Sequence, residues 1–356
     1  MTEAGVARLE YPSRRQALAL VGGAALLAAC GGKPKAAPGP PPTVPTTTAA
    51  PPTTAAPPPV FPLTGLPVDD PARASRAAIT VKIDNAPVAR PQSGIDAADV
   101  VFEELVEGGV VRFASVFHSR DVASIGPVRS VRAEDATIVT PLGGHFVYSG
   151  GNEIFNALIQ KAPVSIISED NREDLFNRRR DRRSPNNLYT STGTIYAGAP
   201  KRTEVPPAFF SYRAAGEPLG GGATPARELS LTMGDRTTLV WTYDDASARW
   251  LRTTNGTAHV VEGGARLSFP NIVIQFCRYQ PTGVIDSGGS NSPEAVVLGD
   301  GDAWVLSGPA LAKGQWTKPT AAAVTGYVDA TGKPLLLQPG PTWVVLAPVD
   351  APNSVR

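Results

Sequence analysis

Val100-Val101-Phe102-Glu103-Glu104-Leu105-Val106-Glu107-Gly108-Gly109-Val110-Val111-Arg112-Phe113-Ala114-Ser115-Val116-Phe117-His118 is the stretch on which the fold turns. Two apolar runs flank Gly108-Gly109, a two-residue hairpin signal. The second run alternates: Val111, Phe113, Ser115 and Phe117 face one way, and Arg112, Ala114, Val116 and His118 face the other. The first run is continuous rather than alternating, so a helix over Ala97–Val106 stays open beside the strand. If the hairpin forms, Glu103 and Arg112 are expected to pair across it.

Working outward, Ala78–Ile83 reads as a strand ending at Asp84-Asn85. Downstream, Arg129–Thr140 is expected as a helix, His145–Ser149 as a strand, Glu153–Gln160 as a short helix and Val164–Ile167 as a strand. Past the Gly/Pro-rich stretch 217–225 the character changes to short apolar strands, Thr238–Tyr243, Ile272–Phe276, Ala303–Leu306 and Thr342–Leu346 among them, punctuated by Asp, Asn and Gly turns. Asp300-Gly301-Asp302 reads as one such turn. The expected fold class is an α/β or α+β N-terminal domain, residues 60–216, followed by a mainly antiparallel β C-terminal domain, residues 225–350.

The N-terminal 59 residues read differently. Ser13-Arg14-Arg15-Gln16 is a positive n-region, and Ala17–Ala29 is an apolar or small-residue run of 13 residues. That is too short to span a hydrocarbon core of ~30 Å and suits a signal peptide over residues 1–29. Leu27-Ala28-Ala29-Cys30 resembles a lipobox, which makes Cys30 the expected lipidation site, carrying palmitate-type acyl chains. The paired arginines leave the twin-arginine and general secretion routes both open. Residues 31–59 hold 11 Pro, 6 Thr and 6 Ala. A segment of that composition buries too little to order itself and reads as a disordered tether. At ~3.1 Å per residue in polyproline II it reaches on the order of 90 Å. The implied address is the cell membrane, lipid-anchored on its extracytoplasmic face.

Composition narrows the partners. Without residues 1–29 the chain carries 30 basic and 30 acidic residues. This balance argues against a nucleic-acid partner, which needs surplus positive charge. It leaves room for a local cationic pocket. With Cys30 lipidated, Cys277 is the one remaining thiol, so no intramolecular disulfide can form.

A series of short segments carries a family resemblance: Pro62-Leu63-Thr64-Gly65, Ile83-Asp84-Asn85, Arg90-Pro91-Gln92-Ser93-Gly94, Ala98-Asp99-Val100-Val101, Val106-Glu107-Gly108-Gly109 with Arg112-Phe113, and Ile125-Gly126-Pro127-Val128-Arg129-Ser130 with Arg132. Trp250-Leu251-Arg252, Asn271–Ile274, Gly314 with Trp316, and Gly340 with Thr342-Trp343 continue it. Together they resemble the YerB-type lipoproteins, a family with paired N- and C-terminal domains. The resemblance implies the two-domain fold and the membrane address, and no reaction. Where the family often has His, this chain reads Ser184-Pro185-Asn186-Asn187-Leu188-Tyr189, so no imidazole role carries over.

The best candidate site is a charged constellation in the first domain: Asp84, Arg90, Glu103, Glu104, Glu107, Arg112, Arg129 and Arg132. Arg129 and Arg132 share a face if their segment is helical. Paired guanidiniums grip phosphate or carboxylate with forked hydrogen bonds. A purely structural ion-pair network is the competing reading. Arg172–Arg183, dense in arginine and carboxylates, reads as a solvated surface. Catalytic templates fail: His118, His145 and His259 lack metal spacing, Ser149-Gly150-Gly151 is no nucleophile elbow, and no catalytic residue, metal or cofactor is assigned. Cys277 reads as a buried thiol, and Trp304, Trp316 and Trp343 as sheet core.

The leading expectation is a tethered envelope lipoprotein that binds an anionic ligand or a protein partner. One alternative is an envelope hydrolase or transferase using Asp84, Glu103 or Glu107 as acid/base; another is a structural component of an envelope complex. Stable anchoring takes more than one acyl chain. Cys30→Ala should therefore move the protein from the membrane fraction to the soluble one, and full membrane retention of that variant would refute lipidation at Cys30.

Overall fold

The computed structural model describes residues 58–285 and 289–356, together with Gly39. The signal peptide, Cys30 and nearly all of the tether lie outside the described residues. The first region contributes β1 (Ile79–Ile83), β2 (Val100–Leu105), β3 (Val111–Phe117), β4 (His145–Tyr148) and β5 (Ser165–Ser168), with helices α1 (Asp135–Val139) and α2 (Glu153–Ile159). The second contributes β6 (Glu228–Met233), β7 (Thr237–Asp244), β8 (Arg249–Thr254), β9 (Asn271–Cys277), β10 (Tyr279–Ile285), β11 (Asn291–Ala295), β12 (Gly299–Ser307), β13 (Ala310–Lys318), β14 (Gly326–Val328), β15 (Thr342–Pro348) and β16 (Asn353–Val355).

Both regions build one sheet, in the order β14-β13-β12-β9-β15-β2-β3-β1-β4-β5. The splice is β15, which pairs in parallel with β9 on one side and with β2 on the other, Val100 opposite Thr342 and Glu103 opposite Val345. In the first region the sheet is mixed, because β1·β4 and β4·β5 are parallel. In the second, β9·β12, β12·β13 and the separate β6–β7–β8–β16 sheet are antiparallel.

The hairpin explains the layering. Its alternation holds: Val111, Phe113 and Phe117 join one buried cluster, Ala114 and Val116 the other. The first cluster fills the space between the large sheet and the β6–β8 sheet, where Trp241, Trp250, Phe269 and Trp343 are fully buried. Because β2 is flanked by β3 and β15, both its backbone edges are paired, and Val100–Leu105 is a strand rather than a helix. Only Asp135–Val139 of the expected Arg129–Thr140 helix is helical. The preceding residues are drawn into backbone pairing with the strand ends: the amides of Asp84 and Arg129 donate to the carbonyls of Pro127 and Lys82, both at 2.9 Å, and the Ser149 amide donates to the Arg129 carbonyl at 3.1 Å. Asp300-Gly301-Asp302 lies within β12 instead of forming a turn. A Cβ at Gly301 would come within 2.8 Å of the Phe276 carbonyl oxygen and 2.7 Å of the Trp316 indole nitrogen, so the glycine serves close packing there.

The expected Glu103–Arg112 pair is not formed. The register sets Glu104 opposite Arg112 and Glu103 opposite Phe113. Since side chains alternate, Glu103 points into the core between the sheets. There the two Nη groups of Arg252 donate to its two carboxylate oxygens at 2.8 and 2.6 Å, and the Trp343 indole donates to Oε2 at 2.7 Å. The Arg252 guanidinium carbon lies 4.8 Å from the Trp343 ring centre, 5.2 Å from Trp241 and 5.6 Å from Phe113. Removing one partner of a buried pair leaves a bare charge, at about 3–5 kcal/mol. Glu103→Gln or Arg252→Met should each lose about that much in denaturant unfolding, and the Glu103→Leu/Arg252→Leu double variant should lose clearly less than the sum of the two.

Candidate functional site

On the sheet face opposite Glu103, alternation lines up Lys82 on β1, Glu104 on β2 and Arg112 on β3, with Asp84 just past the end of β1. The extended segment 127–131 runs beside that end, its Val128 bridged to Ile83. It brings Arg129 within 3.1 Å of an Asp84 carboxylate oxygen, while Arg112 Nε stays 3.9 Å from the other. Arg132 reaches Glu107, at the hairpin turn, through Nε at 3.0 Å and Nη2 at 2.6 Å. Glu107, Arg112, Arg129 and Arg132 line a cleft of about 480 Å³ with Ser130, Gly151, Asn152, Phe155, Val284 and Ile285. The structure thus brings four of the expected residues around one concavity, with a fifth, Asp84, buried beside it at ion-pair distance from Arg129 and Arg112. Arg129 and Arg132 meet there through a bend in extended chain, not through a shared helix face.

The three guanidiniums are not equivalent. Arg132 donates to Glu107 and, through Nη1, to the Val131 carbonyl at 2.8 Å, so its donors are satisfied. The Arg132 charge also holds the Glu107 carboxyl below its ordinary value against the opposing effect of burial. Asp84 is saturated too, accepting from the Asn85 and Ala86 amides at 2.8 and 3.2 Å and from Asn186 at 2.6 Å. Asn186 therefore completes the Asp84 shell. Arg112 is the exception: it is 9% exposed, yet its Nε and Nη1 are buried without a hydrogen-bond acceptor. Burial, helped by the nearby Arg132 charge, pulls its pKa down to about 10. Arg129 Nε sits at ion-pair distance from Asp84 but off the hydrogen-bond direction.

Two expected residues lie elsewhere. Glu103 is sealed in the core on the other face. Arg90 donates to the Asn85 side chain at 2.9 Å and backbone carbonyl at 3.1 Å, bracing the turn after β1 rather than lining the cleft. The Arg172–Arg183 stretch is a surface of ion pairs, Arg172 to Asp174 and Arg179 to Asp181 and Glu262 among them.

Behind the cleft lies a cluster the motif reading passed over. Lys82, fully buried, donates to Glu104 and, at 2.9 Å, to Asp135. An Asp135 oxygen also accepts the Arg132 amide at 2.6 Å. Glu134 is beside them, buried, with neither carboxylate oxygen partnered. Burial first, then Asp135, pushes Glu104 up to about 7; burial and Glu104 push Glu134 well above the usual carboxylate range. Burial opposes the Lys82 ammonium, but Asp135 and Glu104 outweigh it and raise its pKa. Lys82, a lone charge inside the apolar run Ala77–Ile83, was the signal in the sequence.

Comparison with known proteins places this geometry. Residues 63–205 match "Protein of unknown function (DUF3048) N-terminal domain" and residues 229–344 its C-terminal domain. A Bacillus subtilis (strain 168) protein described as "Putative lipoprotein YerB" is 27% identical over 300 residues, 81% of this chain and 86% of that protein. The crystal structure of YerB from Bacillus subtilis superposes with a TM-score of 0.71 at 24% identity, covering 83% of this chain and 99% of that one. It shares the fold.

The protonation of Glu134 has a measurable consequence. In the unfolded chain its carboxyl ionises near 4.5, whereas the folded protein keeps the proton to higher pH. The folded state then binds the extra proton, and stability falls as pH rises above 4.5 through the folded value. Relative to the native protein, Glu134→Gln should gain stability from about pH 5 toward pH 9, by at most ~1.4 kcal/mol per pH unit. Taking the difference cancels the opposite slope of His118 and His259, which burial holds down at about 4 and about 2. A pH-independent difference in urea midpoints would show Glu134 ionised in the fold. With both its family domains in order, and the YerB fold over nearly all of its described residues, the chain belongs to the YerB-type DUF3048 family.

Proposed function

We propose that this chain is a membrane-tethered cell-envelope lipoprotein, anchored through Cys30 on the extracytoplasmic face, whose cleft holds the anionic group of an envelope ligand. The lipobox reading and the lipoprotein description of the Bacillus subtilis relative support the anchor. One observation carries the ligand reading: Arg112 is a buried guanidinium whose Nε and Nη1 lack acceptors, opening on a cleft lined by three arginines and one carboxylate, Glu107. Leaving a charged donor unsatisfied is costly, and an oxyanion at this point would relieve it. It would also offset the repulsion between Arg112 and Arg132. The carboxylates that an envelope hydrolase would use are held by donors: Asp84 by Asn85, Ala86 and Asn186, Glu107 by Arg132, and Glu103 by Arg252 and Trp343. That weighs toward binding rather than acid/base chemistry.

Calorimetric titration of the full chain with inorganic phosphate, and with acetate as the carboxylate probe, tests this. Charge-assisted hydrogen bonds contribute ~1.5–3 kcal/mol each. Arg112→Gln should therefore weaken oxyanion binding at least about tenfold, with the melting temperature held or raised because a buried like charge is gone. Arg132→Ala should instead lower stability, since it strands Glu107. An Arg112→Gln protein that binds both probes as well as the native one, or a native protein that binds neither, would overturn the assignment.

A further inference from the structure

The lining of the cleft is mixed in chemistry. Arg112, Arg129 and Ser130 give it a polar part, and Phe155, Val284 and Ile285 an apolar one. The apolar part is built, not incidental. Val284 is buried and packs in one cluster with Val131, Phe155 and Ile159. It arrives on the β10–β11 hairpin, which the second region lays over the first. Tyr279 pins that hairpin, its hydroxyl donating to the Leu346 carbonyl at 2.7 Å and accepting the Leu105 amide at 3.1 Å. Leu105 ends β2 opposite Val111, the residue before Arg112, and Leu346 lies on the neighbouring β15, so the sheet itself holds this hairpin beside the strand that carries Arg112.

At the mouth the apolar surface is left open. Ile285, a lining residue, is 56% exposed, and Ile154, next to Phe155 on α2, is 57% exposed. An exposed isoleucine alone means little; one that lines the same cleft as three arginines is a different matter. The volume points the same way. A phosphate is the size of about two or three waters, each taking ~30 Å³ of liquid. A cleft of about 480 Å³ therefore has room for a good deal more than the oxyanion.

We infer that the ligand is a phosphorylated amphiphile, its phosphate held by Arg112 and Arg129 and its hydrocarbon lying along Phe155, Val284 and Ile285. The inference rests on the anion reading of the same cleft and adds the apolar half. Two sources share this chemistry, a soluble alkyl phosphate ester and a lipid phosphate headgroup presented by a bilayer.

The probes are inorganic phosphate and a series of alkyl phosphates from ethyl to octyl, kept below micelle formation and titrated into the full chain. Burial of each methylene gives about a fourfold gain in affinity, so hexyl phosphate should bind at least about tenfold more tightly than ethyl phosphate even with half of its added methylenes left in water. Ile285→Ser should flatten that gain, and Arg112→Gln should lose the whole series. The source is read with the Cys30→Ala full chain on phosphatidylcholine vesicles with and without phosphatidic acid. Vesicle binding that needs both phosphatidic acid and Arg112 assigns a headgroup; ester binding without vesicle binding assigns a soluble ester; either upholds the inference. An affinity that does not rise with chain length, or a rise that Ile285→Ser leaves intact, overturns it while the anion reading stands. No binding of inorganic phosphate or of any ester overturns the anion reading itself.

Discussion

The buried Glu103–Arg252 pair is the constraint on which the architecture depends. A carboxylate and a guanidinium, both at 0% exposure, survive in a core only if every donor and acceptor is matched. Here the match draws on three places: β2 of the first region supplies the carboxylate, β8 of the second sheet the guanidinium, and β15 the indole. The rings of Phe113, Trp241 and Trp343 enclose the cation on faces whose quadrupoles favour it. The pair therefore specifies more than contact. It requires β15 to lie beside β2 in one register and the β6–β8 sheet to cover that seam, which ties the two family domains into a single structure.

The same guanidinium is the first link of a chain that ends at the cleft. Arg252 Nε donates to Thr254 Oγ1 at 3.2 Å, the Thr254 hydroxyl meets His259 Nδ1 at 3.1 Å, and His259 Nε2 meets Gln92 Oε1 at 2.9 Å. Gln92 then donates to the Asp84 carbonyl and the Asn85 side chain, both at 3.0 Å. Burial and the flanking Arg252 and Arg90 charges keep His259 neutral, which this relay of one donor and one acceptor per group needs. The turn that aims the Asp84 carboxylate is thus held from behind. A carboxylate fixed in this way keeps Arg129 oriented without being free to neutralise Arg112, and a preformed site loses less ordering entropy when it binds.

The hairpin and its facing were legible in the chain because alternation with period two is a local property. So were the buried Cys277 and the sheet-core tryptophans Trp316 and Trp343. Which of the adjacent glutamates, Glu103 or Glu104, faced Arg112 was not. That depends on the register across the turn, and the loop is Glu107–Gly109, three residues with both glycines at positive φ, rather than Gly108-Gly109 alone. The true partner of Glu103 lies 149 residues away, on a strand of the other region, where no spacing rule reaches. The failed helix at Arg129–Glu134 has a similar cause. Its residues have no strong bias against helix, and pairing with β1 and β4, strands distant in sequence, outweighs propensity. Convergence of Arg112, Arg129 and Arg132 was anticipated from their clustering, while the division of labour among them required coordinates.

Charge placement across the β1–β3 face gives the site its logic. In front, three guanidiniums meet two carboxylates; behind, one ammonium, Lys82, meets three, Glu104, Glu134 and Asp135. The surplus at the back cannot all be ionised in a buried cluster, so protons are retained there, as the raised values for Glu104 and Glu134 express. The two sides of this part of the fold thus handle excess charge differently. Behind, the surplus carboxylates hold protons; in front, Arg112 keeps its charge at a lowered pKa with two donors unmatched.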